Sequence, residues 1–246
     1  MSANTSSFKN LEQLFVTVRN FQTPALLWYS AASERIELSG RVLDNWVSKS
    51  ANFLVDECDL ESGFPIDVPM GVHWRSLVIA LAALRVGATI SFEVDSADVL
   101  FSFDSAVVEA SDAEYPVIVD RGSLAPRFMG EVPAGALDFC AEVRAFGDVY
   151  SGFETPVPSR VAMGGLSYSA LLEAVSTQII AFSEELGSAS AVQFTAPAVL
   201  TADYLIQVLA AVAMGRGVVI LDPTIQWEQA KVEQILAQER AVPLVS

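Results

Sequence analysis

The chain has 246 residues, 52% of them apolar, enough material for one large or two small domains around a buried core. Its 30 acidic against 14 basic residues give a net charge of −16 with no cluster of Lys or Arg, so a nucleic-acid backbone or an anionic membrane is repelled and neither is an expected partner. Cys58 and Cys140 share no ligand spacing and residues 1–15 carry no basic-then-apolar leader, so free thiols and a cytoplasmic location are expected. The most apolar runs, 77–92 and 205–221, are broken by Arg85, Arg216 and glycines and are short for a bilayer span.

Phe8, Leu11, Leu14, Phe15 and Val18 recur at helical spacing behind a Thr5/Ser6/Ser7 cap cluster, so the chain opens with an amphipathic helix that Pro24 ends. Residues 25–29 and 35–38 flank a short polar turn and read as a hairpin. Ser39 caps a helix to about residue 58, with Val42, Leu43, Trp46, Val47, Ala51, Phe53 and Leu54 on one face. Strand 64–69, helix 74–86 and strand 88–94 follow, then strands 99–103 and 116–119 separated by a Ser/Asp-rich connection. From 122 to 158 the pattern weakens and prolines and glycines accumulate, marking a connector. Beyond it come strand 160–163, helix 166–186, strand 191–195, helix 202–214, strand 218–221, helix 227–240 and strand 242–245. This alternation predicts an α/β fold of mainly parallel sheets covered by helices, with a first lobe at 1–121, a connector at 122–158 and a second lobe at 159–246.

An internal repeat underlies the two lobes. A shift of 128 positions lays Pro69 on Pro197 without a gap, and the same shift pairs Leu38 with Leu166, Leu43 with Leu171, Leu77 with Leu205, Ala83 with Ala211 and Gly87 with Gly215. The proline and the glycine carry the argument, because each falls at an element end where backbone geometry is fixed.

With the repeat in place, the motifs T-P-A-L at 23–26, V-P-M at 68–70, A-L-R-V-G-A at 83–88, L-S-Y-S-A-L-L from 166, A-P-A at 196–198 and G-R-G-V-V-I-L-D-P at 215–223 resemble the adenylate-forming superfamily of acyl-CoA synthetases, peptide-synthetase adenylation domains and luciferases. The resemblance covers nearly the whole chain and implies two pseudo-repeated lobes joined by a loop of the type T-S-G-T-T-G-x-P-K-G-V that wraps ATP phosphates. Tyr150, Ser151 and Gly152 match the start of that loop. Its centre departs: Phe153 and Glu154 replace threonines, Ser159 and Arg160 stand in the Lys-Gly region, and Pro156 and Pro158 remove N–H donors that a phosphate cradle needs. Gly164 and Gly165 read as strand-to-helix packing or a backbone turn. The histidine that the resemblance implies in the second lobe falls on Leu200, and the acidic Y-G-x-T-E motif, ribose-binding aspartate, hinge and C-terminal lysine would lie beyond Ser246. The degenerate loop with those losses implies a truncated relative that does not form adenylates.

Other chemistry has little support. His73 is the sole histidine and stands at a predicted helix start after a strand, a place from which a side chain can reach a crevice at the carboxyl edge of a parallel sheet; a capping or surface histidine is the alternative. It has no G-x-S-x-G or cysteine partner, so no catalytic residues are assigned. No metal-ligand cluster is present, and carboxylate pairs such as Glu184/Glu185 and Asp56/Glu57 read as solvated charges. Trp28, Trp46, Trp74 and Trp227 lie in apolar patterns and read as core or interface. The expected role is a non-catalytic binding or interaction module without a cofactor, with a protein that binds an acyl or nucleotide small molecule, or an enzyme, using the inter-lobe crevice as the alternative. An uncovered edge at strand 242–245 makes a homodimer or an unidentified protein the expected partner.

Overall fold

The structure, a computed structural model, describes residues 8–30, 34–152 and 156–244. In chain order its elements are α1 (Leu11–Arg19), β1 (Pro24–Tyr29), β2 (Arg35–Ser39), α2 (Gly40–Asp56), β3 (Pro65–Asp67), α3 (Trp74–Val86), β4 (Thr89–Ser91), β5 (Val99–Ser102), α4 (Ser105–Glu109), β6 (Tyr115–Ile118), β7 (Leu137–Asp138), α5 (Phe139–Glu142), β8 (Val161–Met163), β9 (Leu166–Ser167), α6 (Tyr168–Glu185), β10 (Ala191–Phe194), α7 (Ala202–Ala213), β11 (Gly217–Leu221), α8 (Gln229–Glu239) and β12 (Ala241–Leu244). Helix α1 starts later than the Thr5/Ser6/Ser7 cluster, which lies outside the described residues; Asn10 caps it by accepting from the Gln13 amide at 2.9 Å. Among the described residues no helix is long and apolar enough to cross a membrane.

The chain divides into two compact units. One takes Met1–Asp44, Val72–Trp74 and Ser169–Ser246 and holds a five-stranded sheet in the order β12-β10-β11-β1-β2. All its pairs are parallel except the β1/β2 hairpin. Five successive positions of β1, Ala25 to Tyr29, are buried, as expected of a strand covered on both faces. Leu27, Tyr29, Ala191, Val219 and Ile235 form a core cluster, and Phe182, Phe194 and Tyr204 pack as an aromatic row at 5.5 and 6.2 Å.

The other unit takes Asn45–Gly71 and Arg75–Tyr168 and holds a seven-stranded sheet in the order β7-β6-β5-β3-β4-β8-β9, parallel except for β8/β9. Phe53, Phe101 and Phe139 meet edge to face at its centre, with centroids 5.6 to 6.3 Å apart. Buried Arg75 ties down the loop after β6 by donating to the carbonyls of Asp120, Gly122 and Ala125.

The expected α/β class is present, but the division of the chain differs from lobes at 1–121 and 159–246. The N-terminal hairpin pairs with β11, Leu26 opposite Val218, and β8 joins the middle of the chain through β4, Ile90 opposite Met163. Periodicity reveals an element and its buried face; it says nothing of which distant strand becomes its neighbour. The connector is also more structured than expected, since it contains β7 and α5. Helix 166–186 begins only at Tyr168, because Leu166 and Ser167 pair back onto β8.

The repeat survives this rearrangement at the level of elements. The 128-residue shift carries Gly40, the first residue of α2, onto Tyr168, the first of α6, and Trp74 of α3 onto Ala202 of α7. Gly87 and Gly215 both end their helices with positive φ, +95° and +70°. Each is followed by the same six-to-one bond, Ala88 N–H to Ala83 C=O and Arg216 N–H to Ala211 C=O, both 3.0 Å. A side chain is strained in that left-handed cap, which is why glycine stands at both places.

Candidate functional site

The segment that leads into Tyr150, Ser151 and Gly152 is held from below by α2. Lys49 pairs with Asp148 at 2.8 Å and donates to the carbonyls of Arg144 and Phe146, while the Asn52 amide donates to the carbonyls of Gly147 and Val149 at 3.0 and 3.1 Å. Arg85, buried, donates to the Ser48 hydroxyl at 3.0 Å, and its guanidinium carbon stands 5.8 Å from the centre of the Tyr150 ring. The Tyr150 ring folds back over Gly152 so closely that a Cβ there would lie 2.5 Å from its Cε1 and Cζ. Arg160 donates to the carbonyl and hydroxyl of Ser62. The cations beside this segment are therefore engaged by carbonyls, hydroxyls and a carboxylate. Phe153 and Glu154, which stand where the resemblance has threonines, lie outside the described residues.

Gly164 and Gly165 have φ of +54° and +77° and join β8 to β9. A tight two-residue hairpin with positive φ at both central positions explains this pair, in place of strand-to-helix packing. Leu200 is fully buried. His73 is 0% exposed, its ring edge-on to Trp28 at 4.5 Å and tilted against Trp74 at 5.9 Å. The structure shows neither a histidine open to a crevice nor one at the surface; the imidazole is packed among indoles. Cys58 and Cys140 are free and buried. Burial, with Glu142, Glu57 and Asp59 nearby, pushes the Cys58 thiol up to about 12, and burial raises that of Cys140 as well, so neither is a nucleophile near neutral pH. Among the described residues no group of three or more His, Cys, Asp or Glu side chains is arranged to hold a metal ion.

A cavity of about 370 Å³ opens in the first unit, past the carboxyl end of β10 and beside the first turn of α7. Its walls are Gln178 of α6, Thr195 and Pro197 of the loop, and Thr201, Asp203, Tyr204, Ile206 and Gln207 of α7 and its cap. Open α/β sheets place ligands at this end of their strands. Thr201 caps the helix by accepting from the Tyr204 amide at 3.2 Å. Of these residues the sequence singles out only Pro197, and as a repeat position. Comparison of the repeats position by position points to one more of them, Thr201, a small residue that stands where the first copy has His73.

No family model matches the chain. A Mycobacterium tuberculosis protein named after a numbered protein family is 27% identical over 143 residues, 55% of this chain and 58% of that protein. Among solved structures, an acyl-CoA synthetase from Brucella canis superposes with a TM-score of 0.72 at 16% identity, covering 99% of this chain and 48% of that one. The fold is that of the N-terminal region of adenylate-forming acyl-CoA synthetases. Coronafacic acid ligase from Pectobacterium brasiliense gives the same answer, with a TM-score of 0.68 at 14% identity over 94% of this chain and 49% of its own. The chain thus spans about half the length of these enzymes and 58% of its mycobacterial relative.

Proposed function

We propose that this chain is a non-catalytic binding or interaction module built on the adenylate-forming architecture, acting in the cytoplasm. The observation that carries the reading is the state of the 144–152 segment. Lys49, Arg85 and Arg160, the cations that could meet a triphosphate, are occupied by protein groups, and Tyr150 fills the space beside Gly152 where phosphate oxygens would need open backbone. A net charge of −16 adds a general repulsion of polyphosphates. The test is calorimetry with Mg-ATP followed by pyrophosphate exchange with mixed carboxylic acids. No binding heat and no exchange are expected; exchange above background that disappears in Gly152→Asp would overturn the proposal.

An interaction module needs a partner surface, and strand β12 offers one. It lies at the edge of the five-stranded sheet, paired with β10 on one side. A second copy of the chain adding at this edge is part of the proposal, although Pro243 removes one donor from it. Light scattering reads it directly: a dimer at micromolar concentration supports self-association, and a monomer throughout leaves a different protein as the partner.

A further inference from the structure

Strand β12 is too small to hold a second copy by itself. It has four residues, one of them Pro243, whereas a specific interface takes roughly 800 Å² and about 20–30 residues from each partner. What stands beside the edge decides whether two copies can stay together.

Helix α6 is that neighbour. Its Phe182 stacks on Phe194 of β10 at 5.5 Å, and Phe194 is paired with Leu244 of β12. Phe194 also meets Tyr204 of α7, so α6 and α7 cover the same face of the sheet. With α1, which leads into β1, packed on α7 as well, the layer runs α6, α7, α1, and α6 is its end helix toward β12. Gln178 lines a cavity with Asp203 and Gln207, which fixes the flank of α6 that faces α7. Leu172, Ser176, Ile179 and Ser183 lie across the buried ridge of Leu171, Val175 and Phe182, on the flank turned away from α7. Ile180, beside them, is 50% exposed.

The chemistry of this flank suits a copy of the same chain. Two molecules of charge −16 repel each other, so they can meet only where carboxylates are sparse. From Tyr168 to Ser183 the sole charged residue is Glu173, and β12 carries none. The hydroxyls of Ser176 and Ser183 donate back to the carbonyls of Leu172 and Ile179, both at 2.8 Å. Their protons are already satisfied within the helix, so covering this flank costs little desolvation.

We propose that a second copy docks on α6 and β12 together. The two β12 edges pair antiparallel about a twofold axis normal to the sheet, and the two α6 helices pack flank to flank on one face of the joined sheet. Leu172, Ile179 and Ile180 of each copy form the apolar contact. The proposal rests on the reading of the chain as a self-associating module and names the surface that the module uses.

Sedimentation velocity from about 0.1 to 100 µM tests it, with the dimer expected at micromolar concentration. Ile180→Glu, at an exposed helix position, is expected to keep the helical circular dichroism and to weaken the dimer about tenfold or more, because it sets like charges across the axis. Ile179→Ser, a second variant, weakens it without adding charge. Leu124→Glu, 74% exposed in the other unit, leaves it unchanged. Raising salt from about 0.05 to 0.5 M tightens the dimer by screening the repulsion between copies. A dimer as tight in Ile180→Glu as in the parent, one weakened equally by Leu124→Glu, or one loosened by salt would overturn the α6 assignment while self-association stands. A monomer at every concentration would overturn both, and the non-catalytic reading would still be judged by pyrophosphate exchange.

Discussion

The approach to α3 and the approach to α7 are copies of one design finished in opposite ways. Pro69 and Pro197 each stand five residues before their helix, and Val72 and Leu200 are equivalent and fully buried. In the first copy Met70, His73, Trp74 and Arg75 are all buried, and every residue of α3 is inside. In the second copy the same positions are Ala198, Thr201, Ala202 and Asp203, of which only Ala202 is even half-buried. The first copy fills this approach with large side chains; beside the second, with Thr201, Asp203 and Tyr204 among its walls, lies a cavity of about 370 Å³. The closed copy is structural; the open one has room for chemistry.

The sharpest way to break this comparison is to mutate the equivalent pair Arg75 and Asp203. Arg75→Met removes the donor to three carbonyls of the loop after β6, that of Asp120 in a buried setting and those of Gly122 and Ala125 in part-buried ones, so a loss of about 2–4 kcal/mol is expected in denaturant unfolding. Asp203→Ala should change stability by no more than about 0.5 kcal/mol, as an exposed side chain does. Equal losses at the two positions would mean that the copies do not differ as described.

The helix caps test the opposite claim, that the copies agree. Gly87→Ala places a methyl 2.5 Å from the Ser62 hydroxyl, and Gly215→Ala places one 2.8 Å from the Phe21 ring, both at positive φ. Each should cost about 1–3 kcal/mol. A neutral effect at either glycine would show that its left-handed cap is not required.

A smaller effect separates the units by pH. Burial favours the neutral form of Glu239, but hydrogen bonds from Arg35 and Tyr29 outweigh it and hold the carboxyl below its ordinary range. A depressed carboxyl contributes stability above its unfolded pKa and loses it as pH falls through the folded value. Asp67 and Glu142 of the other unit are raised, chiefly by burial, so their contribution is present below the unfolded pKa and lost as pH rises through the folded value. Glu239→Gln should cost about 1 kcal/mol at neutral pH and flatten the acid side of the stability curve, followed by denaturant titration from neutral to acid. An unchanged acid limb would remove Glu239 from that role.

Much of the fold was legible because it is written in short-range terms. Alternating apolar runs marked the strands, and Gly87 and Gly215 marked helix ends through a conformation that other residues resist. The short helix α4 was not legible, since five residues give too few turns for a period to register. Strand pairing was not legible either: Leu26 and Val218 meet across most of the chain, and nothing local to either names the other. The remnant at Tyr150–Gly152 could be read, but its anchoring by Lys49 and Asn52 of α2 could not, because a lysine on a helix surface looks alike whether it binds a carbonyl or water. The cavity was hidden for a further reason: it is volume between elements, walled by Gln178 of α6 and by residues of α7, and no local pattern records it.

The central claim is that the architecture is kept while adenylation is not. Pyrophosphate exchange with Mg-ATP and a mixture of carboxylic acids, run beside an active acyl-CoA synthetase, tests it most directly. The account predicts exchange indistinguishable from a protein-free control; acid-dependent exchange that Gly152→Asp abolishes would contradict it.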